Sequence, residues 1–426
     1  MMVVGVVLLA GLILLVVLGM PVAFAIGIAS MVSLIVGNYQ LIILPQKLLA
    51  GLDSFPMLAI PFFVLAGNLM TGGGITDKIL DFTRAAVGWM RGSLGIITVL
   101  ASAIFASISG SGTATVTAIG GITIPAMKKD GYPPELAASI ASSSSILGPL
   151  IPPSIILIVY GNQVQSNIRE LFMAAVIPGL LLAGGFALFT YITACRLKLP
   201  VGKWEGVPAL VRETRKSIWA LIMPVLILGG IFGGVFTPTE AAAVSAVYAF
   251  IIGAVVYKNL NRNNIGRIFY ESCITSTIML FLVGCSKGSS WVLAVARVPD
   301  TIAQALLSVS NEAVILLLLL NIFLLIVGMF MEANVAVVIF TPILLPIAKA
   351  CGLTAVQFGV VMCINLCIGL LTPPVGLCAL LGNNIAEGRL EVTLKRCMPF
   401  LLIGVFVLLL STYIPALTLW LPAVLK

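Results

Sequence analysis

Long apolar runs alternate with short polar or basic segments along this chain. Runs such as 3–18, 22–36 and 172–194 approach or reach the roughly 20 apolar residues that carry a helix across a bilayer. Several such runs in one chain predict an all-α polytopic membrane protein. The composition agrees, because 60% of the 426 residues are hydrophobic and 9% are charged, with a mean hydropathy of +1.19.

Two of the apolar runs contain prolines that an uninterrupted helix does not tolerate. The run 142–160 carries proline at positions 149, 152 and 153, and the run 367–379 carries proline at positions 373 and 374. Proline removes a backbone N–H and clashes with the preceding turn, so each run predicts a broken helix. Non-helical backbone at membrane depth is buried in protein or lines a cavity. Its freed carbonyl and N–H groups can hold an ion or an anionic ligand.

The two broken segments belong to an internal repeat. A series of glycine, proline and asparagine residues recurs at a constant spacing of 221 residues, as the pairs Pro125 and Pro346, Gly131 and Gly352, Gly148 and Gly369, Pro152 and Pro373, Gly161 and Gly382, and Asn162 and Asn383. Single matches of this kind arise by chance, but a gapless series at one spacing indicates a duplication.

A hairpin is predicted before each broken helix. The first, 93–126, has a hydroxyl-rich middle, with Arg91 before it and Lys128 and Lys129 after it. The positive-inside rule places both ends in the cytoplasm, and arms of about 15 residues are too short to span the membrane. We therefore expect a re-entrant hairpin with its tip near 109–112, and a full span with a misplaced basic loop is the alternative. The second hairpin is expected at 313–347, with its tip near 331–334.

The basic loops give the two repeats opposite orientations. The loop at 195–217 holds six Lys and Arg residues, marks the cytoplasmic side and joins the two halves. The first half is expected to begin outside and the second inside. Such inverted repeats, with broken helices meeting near the membrane midplane, are an architecture of secondary transporters. A parallel repeat would need one more or one fewer span.

The remaining segments are assigned from hydropathy and charge. Residues 38–54 are expected to form a loop, and Lys78 and Arg84 to lie on an amphipathic helix. A span is expected at 269–284 and an amphipathic stretch within 287–312. The last span is expected at 399–421.

Each hairpin tip is expected to face a broken helix and to form an ion site with it. Sodium is a hard cation that binds several oxygens, which hydroxyls and freed carbonyls supply without buried carboxylates. The first pair joins Ser109, Gly110, Ser111, Gly112 and Thr113 to Ser143, Ser144, Ser145, Gly148 and Ile151. The second joins Met331, Glu332, Ala333 and Asn334 to Ile368, Gly369, Leu371 and Thr372. The alternative for each hydroxyl is a hydrogen bond to its own helix.

The acids and amides within the spans are candidates for further roles. Glu332, near a tip, either shapes an ion site or carries a proton, whereas Glu240 follows Thr237 and is expected to stabilise a helix N-terminus. Near the second break, Asn365, Asn383 and Asn384 bind either exposed backbone or substrate. An anionic substrate suits positive half-helix N-termini between the tips. Its candidate contacts are Ser111, Thr113, Pro152, Asn334, Pro373 and Asn383.

Several function classes are excluded or disfavoured. The chain has no histidine, which excludes histidine-activated nucleophiles and the usual histidine metal sites, and it lacks the Walker A and dinucleotide-binding glycine motifs. The net charge of +8 marks topology rather than a nucleic-acid partner. An ion channel or pump subunit is disfavoured by the closed hairpins. An intramembrane hydrolase using Ser109 or Ser111 would need a lysine base, and Lys128 and Lys129 are expected in the cytoplasm.

The chain resembles the large membrane subunit, the DctM-type component, of tripartite ATP-independent periplasmic (TRAP) transporters. The segments that carry this resemblance are GMPVAFAIG at 19–27, PFFVLAGNLM at 61–70, SISGSGTATVTAIG at 107–120, SSSSILGPLIPPSIILIVYG at 142–161, FTPTEAAAVSAVYA at 236–249 and GLLTPPVGLCALLG at 369–382. They cover nearly the whole chain and are specific in combination.

The resemblance implies a sodium-driven secondary transporter of the bacterial inner membrane, with two or more Na⁺ sites and no enzymatic activity. It implies a periplasmic substrate-binding protein, a separate small four-helix membrane subunit, and a small organic anion as cargo: a C4-dicarboxylate, a sialic acid, another sugar acid or a sulfonate. By position, the Na⁺ sites fall at 109–113 with 143–151 and at 331–334 with 368–372. Proton coupling through Glu332 is the alternative.

The family is similar to divalent anion–sodium symporters of the ion transporter superfamily, which implies an elevator mechanism. A transport domain would then consist of the hairpins and broken helices at 93–161 and 313–382. It would slide against scaffold helices at 1–92, 162–312 and 383–426.

Overall fold

The fold is described by a computed structural model that covers residues 2–202, 206–298, 301, 312–373 and 376–425. Within these ranges the regular structure is helical, apart from one isolated bridge between Arg91 and Val201. The prediction of an all-α protein is confirmed. The predicted amphipathic stretch within 287–312 is only partly covered, because 299–300 and 302–311 lie outside the described residues.

Five helices open the chain: α1 (Met2–Val17), α2 (Val22–Val36), α3 (Ile43–Leu52), α4 (Ala59–Gly72) and α5 (Ile75–Val87). A 3₁₀ turn at Phe55–Leu58 precedes α4. The prediction of a loop at 38–54 is wrong, because α3 occupies most of it. Its low charge suited either a loop or a helix packed on other helices, and only tertiary packing distinguishes the two. The amphipathic helix predicted around Lys78 and Arg84 is α5.

The first hairpin consists of α6 (Ser93–Ser109) and a second arm formed by α7 (Gly112–Thr115), a π-helical turn (Val116–Gly120) and α8 (Gly121–Lys129). The arms contact each other. The chain reverses at Gly110, whose φ of +61° is a left-handed conformation that glycine adopts without a steric penalty. The predicted hairpin and its tip are therefore confirmed.

The first broken helix consists of α9 (Pro134–Ser145) and α10 (Ile155–Val164), separated by nine non-helical residues. Four of the intervening residues are glycine or proline, which explains why the helix cannot continue. It restarts at Ser154, whose hydroxyl accepts a hydrogen bond from the Leu157 amide at 3.2 Å and so caps the first turn of α10.

The central helices are α11 (Ile168–Arg196), α12 (Gly206–Phe232), α13 (Pro238–Ile251), which continues into a π-helical turn (Ile252–Val256), and α14 (Arg262–Val295). The predicted loop at 195–217 is too long, since α12 begins at Gly206, and the predicted span 269–284 is only part of α14. Both α12 and α14 begin before their apolar runs, in charged segments. Ion pairs one helical turn apart stabilise the helix there, Lys216 with Glu213 at 2.9 Å in α12 and Arg267 with Glu271 at 2.7 Å in α14.

The second hairpin consists of α15 (Ala313–Phe330) and α16 (Ala333–Ala350), and the second broken helix of α17 (Ala355–Gly369) and α18 (Leu377–Ala386). The chain ends with α19 (Leu390–Tyr413) and α20 (Pro415–Val424). The single last span predicted at 399–421 is wrong, because the helix stops at Ile414. Pro415, which follows, has no N–H to donate to a continuing helix.

The repeat inferred from sequence is present in the helix boundaries. The first hairpin arms end at Ser109 and Phe330, and the second arms begin at Gly112 and Ala333, both 221 residues apart. The broken helices begin at Pro134 and Ala355, with the same spacing. The duplicated unit is therefore a hairpin followed by a broken helix.

The helices pack in two groups. The first, called the frame here, consists of α1–α5 and α12–α14. The second, called the core unit, consists of α6–α11 and α15–α20. Within the core unit α9 packs on α18, and α10 packs on α16. Helices α11 and α19 belong to this unit by packing, although the sequence assigned 162–312 and 383–426 to a scaffold. That division concerns movement, and it stays a prediction.

In the described ranges, eight helical segments are long and apolar enough to cross a membrane, α11, α12 and α19 among them. Many large apolar side chains on such helices are exposed, for example Leu180, Val225 and Leu402. An apolar surface of this kind fits contact with lipid.

The inverted orientation of the repeats is tested at two equivalent positions, Asp130 and Cys351, which follow the second hairpin arms and are partly exposed. We expect Cys351 to react with a membrane-impermeant maleimide from the outside, and an Asp130→Cys variant in which Cys351 is replaced by serine to react only from the cytoplasm. The exposed Cys195 and Cys273 are first replaced by serine. Labelling is compared in spheroplasts and inverted vesicles, and reaction of both positions from one side would establish a parallel repeat.

Candidate functional site

The first hairpin tip lies directly against the first helix break. A methyl group added to Gly148 would lie 2.6 Å from the Ser111 carbonyl oxygen and 2.7 Å from the Thr115 hydroxyl. Similarly, one added to Gly110 would lie 2.8 Å from the Pro153 carbonyl. Because glycine has no side chain, backbone oxygens of the tip and the break approach closely here. The first tip–break pair predicted from sequence is confirmed as a contact.

Hydroxyl groups line this contact on the hairpin side. The Thr115 hydroxyl donates to the Ser111 carbonyl at 2.7 Å and lies 3.3 Å from the Ser109 hydroxyl. The Ser111 and Thr113 hydroxyls are 3.1 Å apart, and Ser111 also accepts from the Ala114 amide at 3.4 Å. Thr115 is fully buried and faces the break, whereas Thr113 is half-buried.

Thr115 is a site residue that the sequence analysis missed. It follows Ser111 by four residues, so both lie on one face of a helical turn. That spacing was available in the sequence and would have added Thr115 to the candidates.

The serine run of α9 supplies further buried hydroxyls. Ser144 donates to the Ile140 carbonyl and Ser145 to the Ser142 carbonyl, both at 2.7 Å. The hydroxyls of Ser142 and Ser143 are buried without a hydrogen-bond partner among the described residues. Ser144 and Ser145 thus bond to their own helix, which is the alternative that the sequence analysis gave for each hydroxyl. A hydroxyl that donates to a carbonyl still has lone pairs for a cation.

The rest of the first break is held by side chains from neighbouring helices. The Pro149 carbonyl accepts hydrogen bonds from the Ser154 hydroxyl and, at 3.2 Å, from the Cys363 thiol. The Ile151 side chain packs against Gly179 of α11. Pro152, a candidate substrate contact, is buried and precedes a cis peptide bond to Pro153.

The second tip and break are in even closer contact. A methyl group on Gly369 would lie 2.4 Å from both the carbonyl carbon and the carbonyl oxygen of Gly328, which is in the last turn of α15. Beside this contact lies a cavity of about 60 Å³, lined in part by Met331, Glu332 and Leu377. The second predicted pair is therefore also a contact, and Gly328 is the residue that the sequence analysis missed. Nothing in the local sequence marked it.

Glu332 organises the second tip. Its carboxylate accepts hydrogen bonds from the Asn334 amide at 3.1 Å, the Val335 amide at 3.3 Å and the Asn334 side chain at 2.7 Å. It is thus the N-cap of α16. The Asn334 side-chain oxygen is buried without a partner in the described residues, and Met331, in extended conformation, completes the turn.

The second break keeps its chain in short turns. Leu371 and Thr372 donate backbone hydrogen bonds to Ile368 and Gly369, both at 3.0 Å, and the Thr372 hydroxyl donates to the Ile368 carbonyl at 2.9 Å. Pro373 is partly exposed, and Pro374 lies outside the described residues.

The first tip also reaches the second broken helix. A methyl group on Gly112 would lie 3.3 Å from the Cys378 sulfur of α18 and 3.4 Å from the Ser145 carbonyl. The two tip–break pairs are therefore parts of one centre, since the first tip lies between both broken helices.

Other polar candidates have protein partners. The Asn365 side chain donates to Asn321 at 2.8 Å, and the Asn383 side chain donates to the Gly388 carbonyl at 3.1 Å while accepting from Thr393 at 2.8 Å. A substrate contact for Asn383 stays a prediction. Glu240 forms a capping box with Thr237 at the start of α13, so the expected structural role is confirmed.

This centre combines buried hydroxyls, backbone carbonyls, an unpartnered amide oxygen and one carboxylate. Hard cations bind such oxygens. Fold and site thus define a polytopic membrane protein with a duplicated hairpin and broken-helix unit, a class typical of secondary transporters.

Comparison with known proteins identifies the family. The profile of the DctM component of tripartite ATP-independent periplasmic transporters matches residues 9–417. The chain therefore belongs to this family of large permease subunits, whose members are transporter components of the inner membrane rather than enzymes. It is a multi-pass inner-membrane protein.

Individual relatives agree with this assignment. The C4-dicarboxylate TRAP transporter large permease DctM of Pseudomonas aeruginosa is 39% identical, with 88% of each chain covered. The isethionate TRAP transporter permease DctMQ of Oleidesulfovibrio alaskensis is 38% identical over 94% of this chain and 63% of its own. Protein YgiK of Salmonella typhimurium is 40% identical over 95% of this chain and 94% of its own.

A solved structure shares the fold. The YdaH transporter of Alcanivorax borkumensis superposes with a TM-score of 0.61 at 14% identity, covering 88% of both chains. At this identity the likeness concerns the fold alone.

The glycine contact at the second break predicts the effect of Gly369→Ala. Because the added methyl group would overlap the Gly328 backbone, the tip must move away, and uptake of cargo by the assembled transporter should fall by about tenfold or more. Gly121→Ala, on the first hairpin, is the control, because its methyl group would meet no atom within 4 Å. Equal uptake by both variants would show that the contact is dispensable.

The N-cap role of Glu332 predicts a loss of stability in Glu332→Ala. Removing the cap leaves two amides of α16 without their acceptor and should cost about 1 kcal/mol, seen as a lower midpoint of thermal unfolding in detergent. Glu332→Asp, which keeps a capping carboxylate, should retain most of the stability. An alanine variant as stable as the parent would contradict this role.

Proposed function

We propose that this chain is the translocation subunit of a sodium-coupled importer of small organic acids. The family membership supports transport, and the printed names of relatives include C4-dicarboxylate, isethionate and sialic acid permeases. These cargoes are all small organic anions. A periplasmic binding protein and a small membrane subunit are the proposed partners, in keeping with a tripartite system.

The observation that carries the sodium proposal is the pair of glycine contacts at Gly148 and Gly369. Each brings backbone oxygens of a hairpin tip to a helix break, where carbonyls lack regular helical partners. Monovalent hard cations suit such oxygen sets because these need no cluster of buried carboxylates. The first site is assigned to Ser109, Gly110, Ser111, Thr113, Ser144, Ser145, Gly148 and Ile151, and the second to Met331, Glu332, Asn334, Ile368, Gly369, Leu371 and Thr372.

The size of the cavity at the second pair supports an ion rather than the organic acid there. Its volume of about 60 Å³ compares with roughly 30 Å³ for one water molecule and several hundred Å³ for typical organic ligands. The N-terminus of α18, at Leu377, borders the cavity and has no side-chain cap. The organic acid would bind near this half-helix end only after the surroundings open. Its proposed contacts are Ser111, Thr113, Pro152, Asn334, Pro373 and Asn383.

We propose an elevator movement in which the core unit slides against the frame. The packing groups support a larger moving body than the sequence suggested, since α11 and α19 pack within the core unit. The first hairpin arm, α6, meets α4, α5 and α12 of the frame. Where α4 and the first tip meet, the close contact is between Gly67 and Ser109, small residues that suit a sliding surface.

The sodium sites are tested by uptake in proteoliposomes that hold this chain, its membrane partner and its binding protein with radiolabelled C4-dicarboxylate or sialic acid. An inward sodium gradient should drive accumulation that a potassium gradient does not. Ser145→Ala and Thr372→Ala should each lower it about tenfold, as loss of one ligand at a hard-cation site. Ser139→Ala is the matched control, because Ser139 is also a buried serine of α9 that bonds to its own helix, at 2.9 Å.

The alternative is proton coupling through Glu332. Uptake that ignores sodium, follows a pH gradient and is lost in Glu332→Gln would establish it and end the sodium proposal.

A further inference from the structure

Lys287 places a cation inside an apolar helix that is a candidate membrane span, α14. Within the described parts of the chain it forms no ion pair. Its ammonium group donates to the backbone carbonyl of Asn162 at 3.2 Å. An ionisable residue within a span is costly, so it indicates a functional role.

The acceptor lies at the end of a helix of the core unit. Asn162 is in the last turn of α10, where carbonyls lack intrahelical partners and the helix dipole is negative. A lysine at this place is stabilised by the helix end without a carboxylate. The bond thus joins the frame to the core unit through the second half of the first broken helix.

Two neighbouring hydrogen bonds join the same parts. The Ser54 hydroxyl donates to the Asn162 side-chain oxygen at 2.7 Å, and the Gln163 side chain donates to the Ser286 hydroxyl at 3.3 Å. Asn162 and Gln163 at the end of α10 thus contact Ser54, Ser286 and Lys287 of the frame. The Asn162 side-chain nitrogen is buried without a partner among the described residues.

The side-chain hydrogen bonds between helices of the two bodies lie at this end, whereas a cavity opens at the base of the first hairpin. A further side-chain hydrogen bond between frame and core unit runs from Arg169, near the start of α11, to the Phe232 carbonyl at 2.5 Å. At the base of the first hairpin, a cavity of about 620 Å³ lies between Arg84 and Glu213 of the frame and Ser93 and Ile97 of α6. In the proposed elevator movement, this arrangement is one end position.

We propose that Lys287 is a positioning residue that holds the core unit in this end position. Sliding α10 by even one helical turn, about 5.4 Å, removes the carbonyl from its reach. The half-buried ammonium group then loses its hydrogen-bond acceptor, which disfavours the displaced position until water reaches it. The inference rests on the proposed elevator movement.

The position of the core unit is measured by cross-linking across a contact that does not involve Lys287. A methyl group on Gly67 of α4 would lie 3.5 Å from the Ser109 β-carbon, which suits a disulfide. The pair Gly67→Cys and Ser109→Cys is placed in a background without the exposed Cys195 and Cys273. Oxidation is timed in native membranes that hold the complete transporter, without substrate.

Lys287→Met should lower the cross-linked fraction by about half, since losing a hydrogen bond to a charged group shifts a two-state equilibrium about tenfold. Methionine removes a half-buried charge at similar side-chain length, so folding is retained. Lys287→Arg should restore the parent value. Ser289→Ala is the control, because the Ser289 hydroxyl bonds to Ser30 at 2.7 Å within the frame, on the same helix.

Equal cross-linking in the parent and in Lys287→Met overturns the proposal. So does an equal loss in Lys287→Met, Lys287→Arg and Ser289→Ala, which would reflect general loosening of α14. The movement itself is tested with a second pair, Ser54→Cys and Asn162→Cys, whose parent side chains are 2.7 Å apart and belong to neither proposed ion site; uptake of the linked form is compared with that of the reduced form. If the linked form still transports, the elevator movement and this inference both fail. If it is blocked while Lys287→Met cross-links normally, only the role of Lys287 fails.

Discussion

The structure depends on one constraint. Two broken helices leave backbone groups exposed at membrane depth, and other parts of the protein must cover them. Carbonyl and N–H groups there lack the regular hydrogen bonds of a helix, and the hydrocarbon core of a bilayer offers them no water, so another part of the protein must approach them closely. The hairpin tips do this, and glycine makes the approach possible: Gly148 lies against Ser111, and Gly369 lies against Gly328. Because the exposed groups include oxygens, the same contacts that solve the burial problem also assemble oxygen sets suited to a cation.

Much of this centre could be predicted from sequence because its causes are local. Proline interrupts a helix wherever it stands, so the breaks and the repeat followed from spacing. The boundaries at Gly112 and Ala333 fall one repeat apart, as the matching residues required. The pairing of tips with breaks also followed, because each hairpin directly precedes its broken helix. The resemblance to the transporter family rested partly on these segments and partly on others at 19–27, 61–70 and 236–249.

The parts that could not be predicted depend on tertiary contacts. The low charge of 38–54 suited a loop as well as a packed helix, and α3 forms there against α14. The basic start of α12 was predicted to be a loop. It is helical because charged pairs one turn apart stabilise the helix beyond its apolar run. Gly328 became a site residue only through its approach to Gly369. The Ser145 hydroxyl bonds to its own helix and the Thr372 hydroxyl, in the break, bonds to the last turn of α17. Both geometries are compatible with structural and with ion-binding roles.

The two repeats differ at equivalent residues, and this difference supports the proposed end position of the core unit. Asn162 and Asn383 match in the repeat, yet Asn162 binds frame residues Ser54 and Lys287, whereas Asn383 binds Gly388 and Thr393 within the core unit. If both asparagines were tied to the frame, the two end positions could be equally stabilised. Of these two asparagines, only Asn162 is hydrogen-bonded to the frame. The two repeats therefore share their helix boundaries but differ in how they contact the frame. In the proposed elevator movement, binding of ion or cargo can shift the core unit from this position only through a difference in affinity for the two end positions.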